Sequence, residues 1–132
     1  MIRHEFKEEE SSLGKVLRPV ADVVLELDEF RVEIPMYIDS GADISMIPFR
    51  FGKALGFKQE REDIIREIKG ISGAGVPYIL KEATLILNGK SLKVKIAWAL
   101  VEEVPMLMGR TDIFKRFRII FDEKKGWIDF EE

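Results

Sequence analysis

A mainly β, single-domain fold is predicted by three observations along the 132 residues. Apolar runs of strand length recur, an Asn-Gly dipeptide separates two of them, and helical periodicity is scarce. The length suits one domain with its own hydrophobic core. Taken in order, Val20 to Leu27 reads as a strand, and Asp28-Glu29 as a turn into a second strand, Phe30 to Ile38. Pro48 to Leu55 suits a short helix, with Pro48 in its first turn. Ala83 to Leu87 and Ser91 to Trp98 flank Asn88-Gly89, which supplies the two positive-φ positions of a type I′ turn. In the second arm Leu92, Val94, Ile96 and Trp98 alternate with Lys93 and Lys95, so one face turns inward and the other toward water. Thr111 to Phe117 suits another short helix with Thr111 as N-cap. Two last strands, Arg118 to Phe121 and Trp127 to Phe130, lie either side of a Lys124-Lys125-Gly126 turn. Met1 to Ser12 is polar, acidic and aperiodic. The predicted organisation is therefore a flexible acidic arm over 1–13 and one folded domain over 14–132.

Composition removes several function classes. Charged residues make up 34% of the chain but leave a net charge of only −3, so there is no basic stripe to meet a nucleic acid. No apolar run approaches membrane-spanning length, and no partner in a membrane is expected. With no cysteine there is no disulfide, thiolate metal site or cysteine nucleophile, and a cytoplasmic location is the expectation. The only histidine, His4, lies in the acidic arm, the wrong setting for a serine-type triad, and reads as a solvated residue.

Chemistry concentrates in Pro35-Met36-Tyr37-Ile38-Asp39-Ser40-Gly41-Ala42-Asp43-Ile44-Ser45. An apolar strand delivers a carboxylate into a turn of small residues. A charge there is costly unless it is hydrogen-bonded or shared. Gly41 allows close approach of backbone N–H groups, and Ser40 offers a hydroxyl. On its own this stretch describes an Asx-type turn, which such residues make very often. Gly70-Ile71-Ser72-Gly73-Ala74-Gly75 is glycine-rich, but Val76 to Leu80 after it is strand-like, and no Lys-Ser/Thr pair or helix start follows to receive a phosphate. It reads as the tip of a hairpin able to hinge over a ligand. Met106-Leu107-Met108-Gly109-Arg110 is a core strand ending in Gly-Arg.

In that order, Asp39-Ser40-Gly41-Ala42-Asp43, a glycine-tipped hairpin and Leu107-Met108-Gly109-Arg110 resemble the retropepsin family of aspartic peptidases over roughly residues 20 to 130. The resemblance implies a single-lobe closed barrel with a flap hairpin, and an active site built at a two-fold axis by a homodimer. It implies that Asp39 is the catalytic carboxylate, supported in its loop by Ser40, Gly41 and Ala42. Gly41, Asp43 and the flap residues Ile71, Ser72, Gly73, Ala74 and Gly75 would bind an extended peptide or unfolded substrate. Arg110, with Gly109, would brace the site by pairing with Asp43. No metal and no cofactor are required. The chain departs from the family pattern at Thr111-Asp112, where the family often has one polar residue, and in its acidic arm.

None of Asp22, Asp28, Asp43, Asp63, Asp112, Asp122 or Asp129 is followed by Ser-Gly or Thr-Gly, so one chain holds one catalytic loop. The expected activity is that of an aspartic endopeptidase. The alternatives are a dimeric peptide-binding module that has lost turnover, and an aspartyl-phosphate enzyme. The last wants an α/β sheet and a second acid two residues after the first, where this chain has Gly41.

Overall fold

The computed structural model describes residues 2–69 and 75–132. Its strands are β1 (Ile2–Glu5), β2 (Lys7–Ser11), β3 (Gly14–Arg18), β4 (Val20–Leu27), β5 (Phe30–Ile38), β6 (Ser45–Ile47), β7 (Ile65–Lys69), β8 (Gly75–Leu87), β9 (Lys90–Ala99), β10 (Leu107–Met108), β11 (Arg118–Asp122) and β12 (Trp127–Glu131). One short helix, α1 (Phe49–Ala54), follows β6, and a single 3-10 turn spans Phe114–Arg116.

Six strands in the order β4-β5-β10-β6-β9-β8 close into a barrel, because β8 also pairs with β4 through Leu25 and Leu85. The alternation that predicted the strands also builds the core. Val23 and Leu25 of β4, Ile34, Met36 and Ile38 of β5, and Leu92, Val94, Ile96 and Trp98 of β9 all point inward and are buried. Each such side chain contributes about 1.5–3 kcal/mol by leaving water. The exposed ion pairs around the barrel contribute about 0–1 kcal/mol each, so the core dominates. The Asn88-Gly89 turn joins β8 to β9 with φ of 45° and 86°, the left-handed conformation expected for it. Trp98 fixes α1 against the barrel: its Nε1–H donates to the Phe49 carbonyl at 3.0 Å, and its ring stacks on Phe49 with centroids 5.2 Å apart. A Cβ at Gly52 would fall inside that indole ring, so only glycine lets the helix lie so close.

Two sequence expectations need correction. The acidic segment expected to be a mobile arm is strand over most of its length. β1 pairs antiparallel with β12, itself paired with β11, and β2 and β3 form a two-stranded hairpin. The reason is an inward row of Ile2, His4 and Phe6. Phe6 is buried, and the His4 ring meets Phe130 edge-on at 5.9 Å. His4 is accordingly half-buried rather than solvated, and burial lowers its pKa. The predicted helix over Thr111 to Phe117 shrinks to the 3-10 turn. Asp112 takes φ of 68°, which no α-helix accepts, and its carboxylate accepts a bond from the Lys95 N–H at 2.9 Å.

Candidate active site

Asp39 stands where β5 leaves the barrel wall, and its backbone is held from both sides. The Asp39 N–H donates to the Met108 carbonyl at 3.0 Å, while the Ile38 N–H donates to the Pro19 carbonyl at 2.9 Å. On β10, Leu107 and Met108 run parallel to Tyr37 and Ile38 and in register with them. The chain then turns sharply, with the Ala42 N–H reaching back to the Asp39 carbonyl at 3.2 Å. Gly41 donates its N–H to Asp39 Oδ1 at 2.9 Å. A Cβ at Gly41 would sit 3.3 Å from that same oxygen, so the small residue keeps the carboxylate's surroundings open. Among the described residues no cationic side chain pairs with Asp39.

A second loop is stitched to the first, mostly by main chain. The Arg110 N–H donates to the Ala42 carbonyl at 2.9 Å, and the Thr111 N–H donates to the Asp43 carbonyl at 2.9 Å. The Thr111 hydroxyl donates to that same Asp43 carbonyl at 2.7 Å, so it is used here and not as a helix cap. The fully buried Ser45 hydroxyl accepts the Gly109 N–H at 3.0 Å. A Cβ on Gly109 would lie within 3.0 Å of the Cα, C and O atoms of Ile44, so glycine sets the spacing of the two loops. The expected brace between Asp43 and Arg110 is not the one found. The two residues line one small cleft with Thr111, Phe114 and Lys115, but no ion pair joins them. Both are exposed, where such a pair gains little, and the backbone bonds with Ser45 already fix the loops. Ser45 was missed because one serine inside an apolar run carries no pattern of its own.

Asp39 opens onto a cleft of about 380 Å³ lined also by Glu9, Arg18, Pro19, Tyr37, Ile38 and Leu107. Tyr37 points the same way as Asp39, two residues on along the strand, and its hydroxyl donates to Glu9 Oε1 at 2.7 Å. That bond, then partial burial, raises the phenol's pKa. Glu9 and Arg18 come from the β2–β3 hairpin, so the segment expected to be an arm forms one wall of the site. No sequence signal identified them. Leu107 belongs to an apolar cluster separate from the main core, which joins Met46, Ala97 and Ala99 to Ile44 and Val104 and to Ile68, Val76 and Tyr78 of the flap strands.

The flap itself is the hairpin of β7 with the first part of β8, in register from Ile65 opposite Ile79 to Lys69 opposite Gly75. Gly75 thus ends the described part of the tip, and Ile71, Ser72, Gly73 and Ala74 lie outside the described residues. At the flap's base Lys81 donates to Asp63 Oδ2 at 2.9 Å, and the Glu60 N–H donates to the same oxygen at 2.7 Å. The lysine, then the backbone bond, hold the Asp63 carboxyl below its ordinary pKa. Ser40 is exposed beside Asp39. Among the described residues no group of three or more His, Cys, Asp or Glu side chains is arranged to hold a metal ion, and no helix is long and apolar enough to cross a membrane.

No protein-family model matches the chain, and no curated protein sequence matches it. Solved structures do. A retropepsin-like aspartic protease from Rickettsia conorii superposes with a TM-score of 0.68, covering 97% of this chain and 98% of that one at 17% identity. The EIAV protease, complexed with an inhibitor, superposes with a TM-score of 0.58, covering 75% of this chain and 86% of that one at 21% identity. The chain therefore has the retropepsin-like fold, in which Asp39 occupies the end of a barrel strand.

Proposed function

We propose that this chain is an aspartic endopeptidase whose active site forms when two copies bring their Asp39 loops together. The observation that carries this reading is the state of Asp39. It is a half-buried carboxylate held by the Gly41 N–H, left without a cation among the described residues, and open to a cleft. Two such groups face to face cannot both ionise, so the pair shares one proton. The ionised member takes a proton from a bound water, whose oxygen attacks the scissile carbonyl carbon. The protonated member gives its proton to the carbonyl oxygen, producing a tetrahedral diol. Collapse of the diol breaks the C–N bond as the leaving nitrogen is protonated, releasing a new carboxyl and a new amine. The substrate on this reading is an extended peptide lying between barrel and flap, with apolar side chains against the cluster around Leu107.

The test is digestion of an unstructured peptide library from about pH 3 to 8 by the wild type and by Asp39→Asn. Wild type should cleave with a bell-shaped optimum on the acidic side of neutrality, and Asp39→Asn should be inactive yet folded and dimeric. Equal cleavage by the two proteins would sink the mechanism. A wild type that binds peptides across that range without cutting them would mark a binding module instead.

A further inference from the structure

We propose that Lys81 is a positioning residue that, through Asp63, fixes the start of β7 and so sets where the flap stands relative to the Asp39 cleft. This rests on the reading above, in which a peptide lies between barrel and flap. β8 pairs with β7 as far as Ile79 and with β4 from Thr84 onward, so Lys81 stands in the interval where the flap leaves the barrel. It also stands on the inward row of β8, alternating with Ile79, Ala83, Leu85 and Leu87, which are all buried. A lysine in such a row costs stability unless an anion answers it. Its side chain is 14% exposed, and Nζ donates to Asp63 Oδ2 at 2.9 Å, with Glu60 Oε1 3.9 Å away. An apolar residue would simply fill that place on the core row. The lysine instead reaches across to the segment that leads into β7.

β7 has little else to hold it where it begins. Among the described residues it pairs with β8 alone, at the end of its sheet. Ile64 and Ile65 are 67% and 60% exposed, and Ile68 is the one residue of the strand that is partly buried. Asp63 shapes the entry: its N–H donates to the Glu60 carbonyl at 3.1 Å, and its Oδ2 accepts the Glu60 N–H at 2.7 Å. Among the described residues the other charged side chains of this stretch, Lys58, Arg61, Glu62, Arg66, Glu67 and Lys69, form no ion pair. The effect reaches the site through apolar contacts. Ile68 belongs to the cluster that holds Leu107, and Leu107 lines the cleft beside Asp39.

Hydrogen exchange and steady-state kinetics of the full chain test the proposal. Lys81→Met removes the charge while leaving a long, flexible apolar side chain that suits the inward row. In this variant the amides of Ile65 to Lys69 should exchange about tenfold faster or more, and those of Leu85 to Leu92 at the wild-type rate. KM for an unstructured peptide should rise about fivefold with kcat within about twofold of wild type, the pattern of weakened binding rather than impaired chemistry. Asp63→Asn keeps an acceptor for the Glu60 N–H, should act in the same direction, and takes the place of Lys81→Met if that variant does not fold. Unchanged exchange in β7, equal acceleration in the β8–β9 hairpin, or an unchanged KM overturns the proposal. Exchange needs no turnover, so a wild type that cleaves nothing sinks the peptidase reading while the β7 amides still decide the role of Lys81. A wild type that cleaves peptides, with both variants indistinguishable from it, sinks the role of Lys81 alone.

Discussion

Asp39, at the end of a barrel strand, and Asp129, in the terminal sheet, are two carboxylates treated in opposite ways. Asp129 is 4% exposed in β12 and is answered completely within the chain. Arg3 donates from Nε to Oδ1 at 2.6 Å and from its second terminal nitrogen to Oδ2 at 2.9 Å. The same guanidinium lies 3.9 Å over the Trp127 ring. Arg3 chiefly through that hydrogen bonding holds the Asp129 carboxyl below its ordinary pKa. Asp39 receives one backbone N–H and a cleft. The Asp129 carboxylate is saturated by its own chain. The Asp39 carboxylate is positioned by its backbone and left with capacity at its oxygens.

The largest expected effect is a crossed pair of variants. Asp39→Asn should lower cleavage by about a thousandfold or more, the scale of losing an essential catalytic group, with an unchanged or higher melting temperature. Asp129→Asn should lower the melting temperature by several degrees while leaving activity near wild type at temperatures where the variant stays folded. If each variant showed the other's behaviour, the contrast between the two aspartates would be wrong. Next in size is Gly109→Ala, which drives a methyl group into the Ile44 backbone. A cost of about 3 kcal/mol in a denaturant titration is expected, with activity falling as the two loops separate. Ser45→Ala should cost about 1–2 kcal/mol by leaving the Gly109 N–H buried without an acceptor. A neutral Ser45→Ala would show that Gly109 alone fixes the loops.

The smallest effect is the acid dependence of stability. The folded pKa values of Asp129 and Asp63 are depressed by Arg3 and Lys81, so their contribution is complete above the ordinary carboxyl value of about 4. It is lost as pH falls through the depressed values. His4 acts at higher pH: burial lowers its folded pKa, so stability declines as pH falls below its ordinary value of about 6.5. Melting curves from pH 7 to 5 should therefore slope downward for wild type and flatten in His4→Phe.

The barrel and the Asp39 loop were legible in the sequence because each has a local signature. Strand alternation, Asn88-Gly89 and Asp39-Ser40-Gly41 need only a few neighbouring residues to be read. The terminal sheet was not legible, since its pattern is spread across the ends of the chain. Ile2, His4 and Phe6 do alternate, but the histidine counted as polar and the run Glu8 to Glu10 read as solvated. The partners of Ile2 and His4, Phe130 and Ile128, lie more than a hundred residues away, beyond any local pattern. The helix after Arg110 failed for a different reason. Thr111 has the chemistry of a cap, but the Asp43 carbonyl takes its hydroxyl, and Asp112 adopts a positive φ. Glu9 joined the site through Tyr37 by tertiary contact alone.

The pairing of β1 with β12 also orders events in time. Ile2 opposite Phe130 is a contact between the two ends of this span, whereas β8 and β9 are joined by a two-residue turn. Contacts closing long loops form late, because chain entropy must be overcome before they return anything. On a ribosome the β8–β9 hairpin can pair while β12 is still being made, and Phe6 must wait for its neighbours. The Arg3–Asp129 bond, between residues 126 apart, closes one of the longest loops in the fold.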